Sequence, residues 1–240
     1  MKNKTILILG ASSDIGIATC EVFLKKNWNI IGHYYSNKKS LKLLQQKYRN
    51  KLKLFKLNLD NPLVIKTFLK KKKNLFSSAD SFVSLAGFMQ ASLDSHLKYK
   101  IFLKHININY YSNLLFINAI YKTMIKKKWG RILLSSSIGT KFGGSDLTFA
   151  YSVSKHCNEF IPSLFKKKLA KYILYNVLQI GVTKTKIHAK IGKKNINKRK
   201  KLIPIRKIAS PVEVAQEIYN LSSEKNQLTH NQIVNISGGE

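Results

Sequence analysis

Thr5-Ile-Leu-Ile-Leu9, followed by Gly10-Ala-Ser-Ser-Asp-Ile-Gly16, opens the chain. The five leading residues are a continuous apolar run ended by glycine, the mark of a strand buried on both faces of a parallel sheet. Ile15 to Lys26 then places Ile15, Ala18, Val22 and Phe23 on one helix face. A glycine turn between such a strand and such a helix points backbone N–H groups and the helix dipole at one spot, which suits a pyrophosphate. Taken alone, an ordinary tight strand-to-helix turn reads the same way. The rest of the chain decides between the two.

Strand and helix signals alternate onward from this turn. Strands are predicted at Asn29–His33, Leu52–Leu57, Ser81–Leu85, Arg131–Ser135, Ile173–Leu178 and Gln232–Ile236. Helices are predicted at Ser40–Tyr48, Leu63–Lys72 with Pro62 in its first turn, Ile106–Lys127, Tyr151–Ala170 with a kink at Pro162, and Pro211–Leu221. Alternation over the whole length predicts an α/β fold, a doubly wound parallel sheet of about seven strands with helices on both faces. Residues 1–240 read as a single domain, without a repeat or a linker. The segment of about 184–209, with Gly192, Pro204 and many lysines, has no clear periodicity and reads as a substrate loop or lid.

Composition excludes several classes. Of 240 residues, 44% are hydrophobic and 22% charged, which is globular rather than disordered or fibrous. No apolar run approaches the roughly 20 residues of a membrane span, and the first strand is too short for a signal peptide. Cys20 and Cys157 neither form a disulfide framework nor have metal-ligand spacing, so a cytoplasmic, reducing compartment is expected. The six histidines form no spaced pair with carboxylates, so no metal is expected. The net charge of +32 has three readings: nucleic-acid binding, docking of an acidic protein or substrate, or a composition rich in Lys, Asn and Ile. The third is preferred because the lysines fall everywhere and no nucleic-acid recognition motif accompanies them.

The residues with chemistry lie later. Tyr151 and Lys155 stand four apart in Tyr-Ser-Val-Ser-Lys, hence on one helix face. An ammonium beside a phenol favours phenolate, so the Tyr151 pKa is expected to fall toward working pH and the phenol to exchange a proton with a substrate oxygen. Ser137 ends Gly130-Arg-Ile-Leu-Leu-Ser-Ser-Ser137, at the carboxyl end of the fifth strand, where doubly wound sheets bind ligands. Its hydroxyl can hold a carbonyl. In so lysine-rich a chain Tyr-x-x-x-Lys arises readily by chance, but Ser137 stands fourteen residues upstream of Tyr151 and Asn109 precedes both.

Together these residues resemble the short-chain dehydrogenase/reductase family, over residues 4–239. The resemblance implies a Rossmann fold and a catalytic set of Asn109, Ser137, Tyr151 and Lys155. Asn109 would anchor a relay water, and Lys155 would grip the cofactor ribose. The family's Thr-Gly-x-x-x-Gly-x-Gly has Leu9 for Thr and Asp14 for the middle glycine. Asp14 tolerates a left-handed backbone and can cap the next helix, while Ser12 and Ser13 can donate to phosphate. The cofactor set implied is Gly10, Ser12, Ser13, Asp14, Ile15, Gly16, Tyr35, Ser36, Asn58, Leu59, Ala86, Gly87, Tyr151, Lys155, Gly181, Thr183 and Thr185. His33-Tyr-Tyr-Ser-Asn-Lys-Lys39 lacks the acid that reads an adenosine 2′-OH, so NADP(H) is favoured, with NAD(H) as the alternative.

Within the family the chain looks most like the 3-oxoacyl-[acyl-carrier-protein] reductases, on length, Met124 to Ile132, and Ser210-Pro-Val-Glu-Val-Ala215 with Ser237-Gly-Gly239. That implies a small-molecule or carrier-bound carbonyl substrate, with an acidic acyl carrier protein as the candidate partner; if the substrate rides on such a carrier, Lys186, Lys190, Lys193, Lys194, Arg199 and Arg206 by the expected lid should steer it. It also implies a homo-oligomer, a tetramer or dimer, packed through Leu114, Leu115, Ile117, Ile120, Phe160 and Leu164. The alternatives are a dehydrogenase of a sugar or other small alcohol, and a basic nucleic-acid- or carrier-binding protein on a retained fold.

Overall fold

The computed structural model describes residues 3–186 and 196–240. Seven strands form one sheet: β1 (Thr5–Leu9), β2 (Asn29–Tyr34), β3 (Leu52–Lys56), β4 (Ser81–Ser84), β5 (Gly130–Ser137), β6 (Ile173–Ile180) and β7 (Ile233–Ile236). All pairs are parallel, in the order β3-β2-β1-β4-β5-β6-β7. Chain order reverses between β1 and β4, and that switch opens a crevice beyond the carboxyl ends of the strands.

The described helices are α1 (Asp14–Lys25), α2 (Lys39–Lys47), α3 (Pro62–Lys71), α4 (Lys73–Phe76), α5 (Tyr99–Ile106), α6 (Ser112–Lys126), α7 (Phe149–His156), α8 (Ser163–Lys166), α9 (Ile196–Leu202) and α10 (Pro211–Ser222). Every residue of β1 is buried, and its alternate side chains enter two cores. Leu7 and Leu9 join Ile65, Phe116, Ile120 and Phe165, from α3, α6 and α8. Ile6 and Ile8 join Phe23, Leu41, Val214 and Ile218, from α1, α2 and α10. Helix starts follow their sequence signals: Asn61 caps α3 ahead of Pro62, and Ser210 with Glu213 forms a reciprocal capping box on α10.

Three expectations are corrected. The helix expected at 106–127 begins earlier, as α5, and widens into a π turn over Asn107–Tyr111 before α6. The helix expected over 151–170 ends at His156; a 3-10 turn, Cys157–Glu159, follows, and only Ser163–Lys166 is helical beyond Pro162. Proline lacks an N–H and pushes the residue before it away from helical backbone, and the break falls earlier still, where Asn158 and Glu159 turn inward onto Ser135 and Gln179. The apolar residues expected on an outer packing face divide: Ile117 and Ile120 belong to the core, while Phe160 is 79% exposed and Leu164 41%.

In the expected lid of about 184–209, residues 187–195 lie outside the described residues, and with them Lys190, Gly192, Lys193 and Lys194. The remainder holds α9, and Ile203 and Ile208 pack on Val182. Among the described residues no helix is long and apolar enough to cross a membrane.

Candidate active site

The crevice has a half made by backbone and a half made by side chains. At the β1 end, Gly10 has φ +75°, and a Cβ there would lie 2.6 Å from the Ala86 nitrogen. A Cβ on Gly16 would lie 2.2 Å from the Gly10 carbonyl oxygen. Only glycine lets the turn lie against the end of β4 while α1 starts above it. Gly87 faces the opposite situation, since a Cβ there would meet nothing within 4 Å.

Ser13, not Asp14, caps α1: its Oγ accepts from the Gly16 N–H at 3.0 Å and donates to the Gly10 carbonyl at 2.8 Å. Its one hydroxyl proton is therefore committed inside the turn, contrary to the expected donation to phosphate. Ser12 is half-buried beside it, and Ile15 lies in the first turn of α1. Asp14 is the first helical residue and needs no left-handed backbone. Its Oδ2 accepts from the Lys186 N–H at 2.8 Å, with the Lys186 ammonium 3.8 Å from Oδ1. The carboxylate expected to face an anion is thus tied to the loop that follows β6.

The other nucleotide-end residues lie at successive strand ends. Tyr35 and Ser36 are exposed after β2. Asn58 is exposed after β3, and Leu59 next to it is buried. After β6, Gly181 donates to Ile236 at 3.3 Å, and Thr183 is buried and donates to the Gly181 carbonyl at 3.1 Å. Thr185 donates to the Thr183 carbonyl at 3.4 Å. Sequence reasoning missed His33. Buried at the end of β2, it accepts from the Gly10 N–H at 3.1 Å and donates to the Leu57 carbonyl at 2.9 Å. Desolvation pushes its pKa down to about 4, which keeps it neutral and able to accept. It ties the glycine turn to the strand end carrying Asn58 and Leu59.

At the β5 end, Ser137 closes the strand as expected, and Tyr151 and Lys155 share α7. The Ser137 hydroxyl lies near enough to the Tyr151 phenol to hold its pKa down, and its Oγ accepts from the Gly139 N–H at 3.3 Å. Lys155 is buried and donates to Ser135, at 3.2 Å to its carbonyl and 3.0 Å to its hydroxyl. The expected fall in the Tyr151 pKa is not found: burial pushes it up to about 12, opposed by the nearby Ser137 hydroxyl. Desolvation also brings Lys155 down to about 8. In a water-poor site the cost of charging each group outweighs a neighbouring ammonium aimed at Ser135.

Asn109 is fully buried in the π turn. Its amide nitrogen donates to the Phe88 carbonyl at 2.9 Å and Ser154 at 2.8 Å, and its Oδ1 accepts from the Phe88 N–H at 2.7 Å. Its carbonyl accepts from Asn113 and Asn158, both at 2.9 Å. So Asn109 pins the segment after β4 to α7. Asn113, Asn158, Ser135 and Ser154 were also missed. The only signals in the chain are the four-residue steps from Asn109 to Asn113 and from Ser154 to Asn158, too common to single out. Among the described residues there is no cluster able to hold a metal ion.

Comparison with known proteins agrees with this fold. The sequence profile of the family described as short chain dehydrogenase matches residues 4–196. The chain is 25% identical to the 3-oxoacyl-[acyl-carrier-protein] reductase FabG of Aquifex aeolicus, covering 100% of this chain and 98% of the relative. It is 29% identical to the FabG of Rickettsia typhi, covering 98% and 96%. The solved structure described as ElxO with NADP bound superposes with a TM-score of 0.86 at 25% identity, covering 99% of this chain and 98% of that one.

Proposed function

The chain belongs to the short chain dehydrogenase family, and from that premise we propose that this NAD(P)-dependent oxidoreductase reduces a carbonyl, most closely in the manner of a 3-oxoacyl-[acyl-carrier-protein] reductase. The observation that carries the reading is the Ser137 hydroxyl placed near the Tyr151 phenol, with buried Lys155 one helical turn from Tyr151, at the carboxyl end of the sheet that also carries the Gly10–Gly16 turn. A pKa near 12 keeps the proton on Tyr151 at neutral pH, which suits giving it to a carbonyl oxygen.

The residues present fit a dinucleotide cofactor. The glycine turn and the N-terminus of α1 would take its pyrophosphate. Tyr35, Ser36, Asn58 and Leu59 would line its adenosine end, and Gly87, Gly181, Thr183 and Thr185 its nicotinamide end. When bound, that cofactor supplies the hydride. Ser137 holds the substrate oxygen and Tyr151 protonates it, with Lys155 held on Ser135 one helical turn away. Asn109 holds the Phe88 segment and α7 in register for that transfer.

Absence of an acid at Tyr35 or Ser36 supports NADP(H) over NAD(H), as does the NADP carried by ElxO. The FabG relatives support a carrier-bound substrate and its acyl carrier protein as partner. Of the steering residues, Arg199 is paired with Glu240 and the Lys186 ammonium lies 3.8 Å from Asp14, while the Arg206 guanidinium donates to the Lys201 carbonyl. A homotetramer is proposed through Leu114, Leu115, Phe160 and Leu164. The deciding experiment is a carbonyl panel including 3-oxoacyl thioesters, run with NADPH and with NADH. Turnover with NADPH on thioesters is expected; no turnover on any carbonyl overturns the reading.

A further inference from the structure

One carboxylate lies under the site without a role in the chemistry above. Glu159 follows α7 in the 3-10 turn, with its side chain only 9% exposed. Its Oε1 accepts from the Ser136 hydroxyl, from the Thr140 hydroxyl at 2.8 Å and from the Gln179 amide at 3.1 Å. His156 lies 2.7 Å from Oε2 at the exposed end. Buried carboxylates are rare, because each must be compensated by donors or cations. Here the compensation comes from donors on three separate elements.

Those donors bracket Ser137. Ser136 precedes it, and Thr140 stands three residues later in the 3-10 turn over Ile138–Phe142. The Thr140 hydroxyl also lies 2.9 Å from the Ser137 carbonyl, and it accepts from Gln179 at 2.9 Å. Gln179 is the register partner of Ser136 on β6, and its Oε1 accepts from Asn235 on β7 at 3.0 Å. A polar row therefore crosses β7, β6 and β5 and ends on Glu159. Its anchor is three residues beyond the helix that carries Tyr151 and Lys155. Glu159 thus joins the sheet that aims Ser137 to the chain just beyond the helix that aims Tyr151, alongside the Lys155 and Asn158 bonds to Ser135.

We propose that Glu159 is a positioning residue: it braces the end of β5 against α7 and so sets the distance between the Ser137 hydroxyl and the Tyr151 phenol. The inference rests on the reductase reading. Glu159 touches neither substrate nor cofactor. Misplacing a reacting group by about 1 Å can cost about 100-fold in rate, so the brace should be read in kcat and not in cofactor affinity.

The test compares Glu159→Ala and Glu159→Gln with the wild-type protein, measuring kcat with NADPH and a 3-oxoacyl thioester, and NADPH Kd by nicotinamide fluorescence. Glu159→Ala should lower kcat by roughly 30–100-fold and leave Kd within about twofold. Glu159→Gln keeps an acceptor at Oε1 and should stay within about fivefold of wild type. A wild-type kcat in Glu159→Ala, an equal loss in Glu159→Gln, or a Kd that worsens along with kcat overturns the brace. Should Glu159→Ala not fold, Thr140→Val removes one strut at constant shape; about tenfold lower kcat at unchanged Kd supports the brace, and native kcat overturns it. Wild-type protein without turnover overturns the reductase reading and the inference together, whereas wild-type turnover with an indifferent Glu159→Ala overturns the inference alone.

Discussion

The two halves of the crevice are built from different materials. Around Gly10 and Gly16 the groups proposed to work are backbone N–H groups and a helix end, and the side chains serve mainly to hold the turn: Ser13 caps α1, His33 ties Gly10 to Leu57, and Asp14 engages Lys186. Around Ser137 the groups proposed to work are side chains, and the backbone serves to bury and aim them. The first half departs from the family fingerprint at Leu9 and Asp14, while the second keeps all four of Asn109, Ser137, Tyr151 and Lys155. A site made of N–H groups tolerates a change of side chain if the turn keeps its shape. A site made of a phenol and an ammonium does not.

This contrast breaks most visibly at Tyr151. Tyr151→Phe should lower kcat by about 10²–10⁴-fold, the size of an acid–base contribution, while NADPH Kd by fluorescence stays near the wild-type value. A variant with near-native turnover would remove the phenol from the mechanism.

Lys155 gives the next largest effect, on stability. Its folded pKa, about 8, lies below the ordinary 10.5. Between those values the unfolded chain binds more protons than the folded one, so stability rises with pH through that window. Relative to Lys155→Met, the wild-type protein should gain on the order of a few kcal/mol between about pH 8 and pH 10.5 in urea titrations, at about 1.4 kcal/mol per pKa unit. Parallel curves for the two proteins would mean that Lys155 is not desolvated.

Gly16→Ala strikes the other half. A Cβ 2.2 Å from the Gly10 carbonyl must displace the turn. Overpacking of about 1–3 kcal/mol should weaken NADPH binding by roughly 5–150-fold, with kcat at saturating cofactor little changed. If kcat collapsed while Kd held, the division of labour between the two halves would be wrong.

The smallest effect sharpens the comparison. Tyr35→Asp adds the one side chain the nucleotide half lacks. Repulsion of the 2′-phosphate should shift the ratio of kcat/KM for NADPH over NADH by about tenfold toward NADH. An unchanged ratio, or a wild-type protein that already prefers NADH, would displace the 2′-phosphate from this segment.

Much of this was legible from local pattern. β1 and its glycine turn are readable because a buried parallel strand must be continuously apolar and must end where the turn needs glycine. Tyr151 and Lys155 are readable because helical spacing alone places them together. The π turn at Asn107–Tyr111 has no glycine or proline to announce it; it is held by Asn109 gripping Phe88 and by Asn158 gripping Asn109, contacts 21 and 49 residues apart. The end of α7 is half legible: Pro162 marks a break, but the inward turn of Asn158 and Glu159 places it five residues earlier.

By itself, the sequence determined the alternation of strands and helices, the place of the glycine turn, and the side-by-side placing of Tyr151 and Lys155 on one helix. Each follows from interactions among residues a few positions apart, or from a pattern repeated along the chain. Only the tertiary structure decided the charge states and the bracing. Burial raised Tyr151 and lowered Lys155 against the expectation from their spacing. His33, Asn158 and Glu159 acquired partners from strands and turns far along the chain. Desolvation and hydrogen-bond satisfaction depend on what surrounds a group in space, and that is set only when the whole sheet has closed around it.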